Sequence, residues 1–345
     1  MERRSTYFAE FGWARIIILG FLILLIIIAF ATGMSVGELI SSSFVRIGMN
    51  GVLVLAVLVG IQGGIGLNFG IPIGVVCGLL GAIISMELNL TGAAGFIMAM
   101  LFSIPISIVM GYAYGLLLNN TKGDEMTVAT YAGFAVVSLF SIIWILLPIH
   151  NPLVVWPIGK GIRTTIALTD FYDKILDHFL AIKMGNVSIP MGTLLFFGLC
   201  CLAVWLFFRS KAGTAMIAAG SNPLYAKASG INVDKYRMLS TILSTMLSAI
   251  GIIVYSQSFG FYQLYQAPLM MGFAAVAAIL IGGASTNKAT IMNVIIGVFL
   301  FQSILTVSMP VANRLIDGSL ADVIRVLVSN GIIVYALTKA GGEDE

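Results

Sequence analysis

Residues 47–86 read IGMNGVLVLAVLVGIQGGIGLNFGIPIGVVCGLLGAIISM, bounded by Arg46 and Glu87 with no Asp, Glu, Lys or Arg in between. A helix that crosses the roughly 30 Å hydrocarbon core needs about 20 mostly apolar residues at about 1.5 Å each. The stretch therefore holds one or two crossings. Backbone amides have no water to pair with in lipid, so long apolar runs are helical rather than open sheet. Gly63-Gly64-Ile65-Gly66 and Pro72 interrupt the run. That break fits either two tight crossings or one broken, re-entrant helix.

The pattern extends outward from there. Charge is absent between Glu87 and Lys122, Glu125 and Lys160, Lys183 and Arg209, Arg237 and Lys288, and Lys288 and Arg314. Across the 345 residues, 59% are apolar and 10% charged, with a mean hydropathy of +1.04. Soluble domains carry about 25% charged residues. The apolar segments predict about ten crossings in an all-α polytopic bundle: Ile16–Thr32, Met49–Gly66, Phe69–Met86, Ala93–Leu118, Val128–Leu147, Pro190–Phe208, Leu239–Ser256, Pro268–Gly283, Ile291–Met309 and Leu320–Leu337. The first resembles a signal peptide, with Ala29-Phe30-Ala31 as a cleavage site, but its run exceeds the 7–15 residues of a signal h-region and is read as a retained helix.

Lys and Arg orient the bundle. Arg3, Arg4 and Arg15 lie at the start; Lys211, Lys227 and Lys235 lie between Arg209 and Arg237 against one acid, Asp234. Six segments separate the two groups, so the positive-inside rule places both on one side and predicts cytoplasmic termini. Residues 209–237 then form a cytoplasmic loop and residues 148–188 an outer loop, within a single membrane domain spanning 1–345. The outer loop's Lys160, Arg163, Lys174 and Lys183 run against the rule; Asp170, Asp173 and Asp177 offset them. The net charge of +3 is ordinary for such loops and implies no nucleic-acid partner. Cys77, Cys200 and Cys201 lie in apolar stretches without metal-type spacing and read as small hydrophobes.

Several chemistries lack their motifs. Gly159-Lys160 has neither the upstream Gly nor the following Ser or Thr of a phosphate-cradling loop. No His-Glu-x-x-His or Gly-x-Ser-x-Gly occurs, and both histidines, His150 and His178, fall in the outer loop. No catalytic residue, cofactor or metal is expected. The spans carry essentially no carboxylate, whereas ion-coupled carriers usually place Asp, Glu or His there. Coupling to an external engine fits better than a secondary carrier, although sodium sites built from carbonyls keep that alternative open.

The polar cytoplasmic loop centres on Gly220-Ser221-Asn222-Pro223-Leu224-Tyr225-Ala226-Lys227-Ala228-Ser229-Gly230-Ile231-Asn232-Val233. Asn222 or Ser221 can cap a helix that begins at Pro223, and Gly230 supplies the left-handed residue that stops it. Two turns do not persist alone in water, so this helix must be held by its flanks or by another protein. Elsewhere, Gln62, Asn68 and Phe69 at the broken helix, with Gln302 in the ninth segment, are candidates to line a pathway. Phe261, Tyr262 and Tyr265 lie near the outer face, where they form either a gate, a contact for a delivering protein, or an interfacial aromatic belt.

Gly220–Val233 resembles the coupling loop of permeases from the ribose and branched-chain amino-acid branch of ABC importers. Its Gly-x-Asn/Asp-x-x-Ala-x-x-x-Gly-Ile core is matched by Gly220, Asn222, Ala226, Gly230 and Ile231. Residues 63–70 are similar to the family's Gly-Gly-Ile-Asp-Leu-Ser-Val-Gly, and residues 279–285 to its Val-Leu-Gly-Gly-Thr-Ser. Gly66 stands where the family has Asp and Asn68 where it has Ser; 286–290 replace a glycine-rich stretch. The resemblance implies that Ser221, Asn222, Pro223, Leu224, Ala226, Ser229, Gly230 and Ile231 dock on cytoplasmic ABC ATPase subunits. It also implies an extracytoplasmic solute-binding protein, a second permease copy or relative, and a prokaryotic cytoplasmic membrane. The resemblance further implies that ATP is hydrolysed on another chain, so this chain is not expected to be an enzyme. Uncharged spans favour a neutral polar solute, in this family a simple sugar, then a nucleoside, then a branched-chain amino acid.

Overall fold

The computed structural model describes residues 13–185 and 187–315, together with residues 330, 331 and 334. Its long helices are α1 (Trp13–Ala31), α2 (Val36–Gln62), α3 (Ile71–Glu87), α4 (Gly92–Asn120) and α5 (Glu125–Leu146). A capping region follows, with β1 (Thr165–Ala167), the single turn α6 (Ile175–His178), β2 (Ala181–Met184) and β3 (Val187–Pro190). The chain continues through α7 (Met191–Arg209), α8 (Lys211–Ser221), α9 (Pro223–Ala228), α10 (Val233–Phe259), β4 (Phe261–Gln263), α11 (Ala267–Ile281) and α12 (Ile291–Leu315).

Among the described residues, six helices are long and apolar enough to cross a membrane: α2, α4, α5, α7, α10 and α12. Three shorter apolar helices, α1, α3 and α11, complete the bundle. Nine of the ten expected segments are thus helices. The tenth, Leu320–Leu337, lies outside the described residues at all but three positions, and the charges at Arg3, Arg4 and Lys339 lie outside them too.

The hub is α10, which packs against α2, α3 and α4. Its buried stripe Ser240, Thr241, Ser244, Thr245 and Ser248 recurs at helical spacing. Small hydroxylated side chains let neighbouring helices approach and satisfy themselves on carbonyls, as in Thr245 Oγ1 to Thr241 O at 2.8 Å. Two of them bridge to α2, Ser240 Oγ to Val59 O and Ser244 Oγ to Ala56 O, each at 2.8 Å. On the other flank Gly74 meets Thr245 and Ser248, and Gly78 meets Ala249 and Ile252. Contacts with α2 descend in number as α10 ascends, and those with α3 ascend together. The two helices therefore run in opposite directions on either side of α10.

Of the two alternatives at Gly63–Pro72 the structure shows the first, a turn between two antiparallel helices, made by Gly64 and Gly66 with φ of +77° and +78°. Two other expectations are corrected. The second segment starts at Val36 rather than Met49, so Glu38 and Arg46 belong to a membrane-length helix that the charge-free criterion had cut short. The loop 209–237 is also largely helical, made of α8, α9 and the first turn of α10.

Residues 148–190 form a folded cap rather than an open loop. β1 pairs antiparallel with β4, in the register Thr165↔Gln263 and Ala167↔Phe261, and β2 pairs with β3 as a hairpin. Val154, Ile162, Ile166, Leu168, Phe171 and Tyr172 are buried beneath. The carboxylate of Glu87 anchors the cap's start by accepting the amides of His150 and Asn151 at 3.0 Å.

Candidate functional site: an exposed elbow and an open cavity

At the end of the bundle opposite the cap, each turn of the elbow is terminated by its own sequence. Asn222 Oδ1 accepts Tyr225 N at 3.0 Å, and Pro223 occupies the first turn; of the two candidate caps, Asn222 performs the task, while Ser221 ends α8. Gly230 has φ +81°. Its N–H bonds to Lys227 O at 3.1 Å and that of Ile231 to Ala226 O at 2.9 Å, a Schellman closure. Asn232 immediately caps α10 through Lys235 N at 3.0 Å. Ala226 is the buried residue of α9, whereas Leu224 is 84% and Tyr225 69% exposed. Two large side chains on a rigid, capped turn form a small apolar projection.

The elbow is locked to the bundle interior. Gly220, at the end of α8, lies backbone to backbone against Gly63 and Gly64. From the first turns of α10, Arg237 is buried, 7% exposed. Its Nη2 bonds Glu125 Oε1 at 2.6 Å, its Nη1 Gly64 O at 2.7 Å and its Nε Asn119 Oδ1 at 3.2 Å. One guanidinium thereby joins α5, the α2–α3 turn and α4. Sequence reading took Arg237 for the last residue of a loop and missed it, because α10 starts at Val233, six residues before the apolar run.

Beyond the turn, Asn68 sits in a closed polar knot. Its Oδ1 accepts Tyr114 Oη at 2.8 Å and Gly70 N at 2.9 Å, and its Nδ2 donates to Ser244 Oγ at 2.9 Å. Phe69 packs on Phe273 with ring centroids 5.2 Å apart, and Gln62 Nε2 donates to Ala289 O. Asn68 and Phe69 are buried and Gln62 half-buried. The structure gathers these three near one turn but ties their polar atoms into packing.

Gln302 is placed differently. It lines a cavity of about 360 Å³ among α2, α10, α11 and α12, with Arg46, Asn50, Tyr255 and Gln263. A neighbouring hollow shares Arg46 and Phe259 and adds Lys174 from the cap. In sequence Arg46 falls outside its helix because that helix is drawn from Met49, and Asn50 lies inside the segment with no local signal to single it out. Of the outer aromatic residues, Tyr262 is fully buried in β4, its hydroxyl 3.2 Å from that of Tyr172. Burial pushes both phenols up, so this contact stays neutral. Tyr265 donates to Ile162 O at 3.1 Å, and Phe261 stacks near Phe259 with centroids 4.5 Å apart. These side chains join β4 and its flanks to the cap and to the end of α10.

The bundle of apolar helices, with a capped projection at one end and a mostly apolar cavity bearing a few polar groups toward the other, is that of a multi-pass membrane protein. The chain belongs to the family described as branched-chain amino acid transport system / permease component, whose model matches residues 53–337. It is 26% identical over 245 residues to the autoinducer 2 import system permease protein LsrC of Enterobacter sp. (strain 638), covering 69% of this chain and 66% of that one. It is 29% identical over 98 residues to the nucleoside ABC transporter permease protein NupC of Lactococcus lactis subsp. cremoris (strain MG1363), covering 28% and 31%. The match to LsrC of Klebsiella pneumoniae subsp. pneumoniae is 32% identical over 120 residues, covering 34% of each chain. The chain thus spans less than two thirds of the length of these relatives. A solved chain of a metal-chelate type ABC transporter, in an inward-facing conformation, overlaps 94% of this chain and 99% of its own at 13% identity and a TM-score of 0.48.

Proposed function

We propose that this chain is the membrane-spanning permease subunit of a binding-protein-dependent ABC importer in a prokaryotic cytoplasmic membrane. The observation that carries the reading is the capped elbow Ser221–Ile231, an apolar projection fixed to the bundle, on a chain of this permease family. In this reading Leu224 and Tyr225 seat in an ATPase subunit, with Ser221, Asn222, Pro223, Ala226, Ser229, Gly230 and Ile231 giving the elbow its shape. A second permease, a copy or a relative, completes the pathway, and ATP is hydrolysed on the ATPase chains.

The nine apolar helices among the described residues alternate in direction; the start of α1 lies at the elbow end, where Arg15 meets Gly283. A tenth crossing at Leu320–Leu337 would return the chain there and make both termini cytoplasmic. The cap then faces outward, where a solute-binding protein would dock near Phe261 and Tyr265, and Tyr262 would act from beneath as part of the cap's core.

The solute class that fits best is a small hydroxylated molecule, a simple sugar or nucleoside. The relatives named for autoinducer 2 import and nucleoside transport support that class. Asn50, Gln302, Tyr255 and Arg46 offer the donors and acceptors that hold hydroxyl groups. Gln302 is the pathway candidate that reaches this cavity, while Gln62, Asn68 and Phe69 would shape the α2–α3 turn at the elbow end. The test is uptake of radiolabelled D-ribose and uridine into proteoliposomes holding the complex captured through this chain. Uptake that requires ATP and the ATPase supports the proposal; uptake by the chain alone under a proton or sodium gradient would overturn it.

A further inference from the structure

We propose that Arg237 is the positioning residue that carries movement of the elbow into the α2–α3 turn and, through it, to the pathway helices. The inference rests on the importer reading and extends it to a residue outside the docking surface.

The elbow and the turn are connected twice. At the end of α8, Gly220 abuts Gly63 and Gly64 with no side chain between them, so displacement of α8 bears directly on that backbone. At the start of α10, six residues after Ile231, Arg237 holds the Gly64 carbonyl at 2.7 Å. The turn is therefore gripped from both ends of the elbow. Its Gly64 and Gly66 adopt left-handed conformations that glycine enters without a Cβ clash.

Arg237 spreads the same movement to two other helices. Its contacts with Asn119 and Glu125 reach the last turn of α4 and the first of α5. Asn119 Nδ2 in turn donates to Asp234 O at 2.9 Å, one turn before Arg237 on α10. A rigid planar fork with donors in fixed directions transmits position in a way that a flexible ammonium cannot. Beyond the turn, Asn68 passes its position to Tyr114 on α4 and Ser244 on α10. A continuous set of bonded groups thus runs from the elbow to the middle of the bundle, and Arg237 is where three helices and the turn meet. Two glycines in contact can push but cannot pull; a charged hydrogen bond to the Gly64 carbonyl does both.

The test uses the complex captured through this chain, in nanodiscs, with Cys77, Cys200 and Cys201 replaced by Ser and spin labels on Asp124→Cys and Lys288→Cys. Distance distributions are recorded without nucleotide and with ATP plus vanadate. In the parent complex ATP shifts the distance. Arg237→Lys keeps the charge opposite Glu125 but not the fork, and Glu125→Gln keeps an acceptor but not the charge; both are expected to retain the ATPase and its hydrolysis rate within about twofold while the shift falls below about half. Glu125→Asp should restore part of it. A purely structural role would lower thermal stability without separating hydrolysis from movement. Equal shifts in the parent and both variants would overturn the role of Arg237 alone. Failure of the parent complex to capture an ATPase would overturn the importer reading and this inference with it.

Discussion

The Cα of Gly220 lies 2.7 Å from the point a Cβ on Gly64 would occupy. Two segments more than 150 residues apart in sequence thus touch backbone to backbone, and the elbow has no slack against the bundle. A methyl group at Gly64 also strains a φ of +77°, at about 1–3 kcal/mol. Gly64→Ala should lower the thermal unfolding midpoint in detergent by several degrees, while Gly198→Ala, with open space around it, should leave it unchanged or raise it.

Asn68 satisfies three groups at once, and its replacement strands them. Asn68→Ala leaves the Tyr114 hydroxyl and the Gly70 amide without their acceptor, each costing about 1–3 kcal/mol when buried. Tyr114→Phe removes one member cleanly and should cost less. In a double-mutant cycle read by thermal unfolding, the pair should be clearly non-additive; simple additivity would mean that the knot carries no shared energy.

Two ion pairs at the elbow end should differ sharply. Arg237–Glu125 is buried, with side chains 8% and 17% exposed, whereas Lys122–Asp234 is open at 50% and 59%. Removing one partner of a buried pair costs about 3–5 kcal/mol, and an exposed pair contributes about 0–1 kcal/mol. Glu125→Ala should therefore destabilise the protein severely, and Lys122→Ala barely, when unfolding midpoints are compared in the same detergent.

The carboxamide of Gln302 lines the cavity and bonds to no described residue, which leaves it available to a solute. Losing one such hydrogen bond, worth about 1.4 kcal/mol, is a tenfold change in affinity. Gln302→Leu should lower uptake by about that factor at limiting solute, with the unfolding midpoint and ATPase capture unchanged. Asn68→Ala should instead reduce both.

The sequence showed most of the bundle because lipid leaves a chain few choices: an apolar run with no charge is a helix, and nine such runs are helices here. It located the elbow because capping is local; Asn222 and Gly230 each bond a residue three positions away, and Pro223 directly follows its cap. It failed where the outcome depends on distant partners. Arg46 and Glu38 broke the charge criterion although α2 continues through them. Arg237 looked like a loop cation until Asn119, Glu125 and Gly64 converged on it. Tyr262 reads as one of the outer-face aromatic residues with open alternatives, and strand pairing with β1 buries it beneath the cap. Nothing in the local pattern of 148–190 announces that partner.

The central claim is that Leu224 and Tyr225 seat this chain in an ATPase. The direct measurement is affinity capture of the tagged chain from native membranes in mild detergent, with mass spectrometry of what accompanies it, beside a Leu224→Asp, Tyr225→Ala variant. Both substitutions are on exposed positions and should leave the fold intact, as its unfolding midpoint will report. The account predicts an ABC ATPase with the parent chain and its loss from the variant. Parent and variant that both purify without an ATPase, or that both retain one, would contradict it.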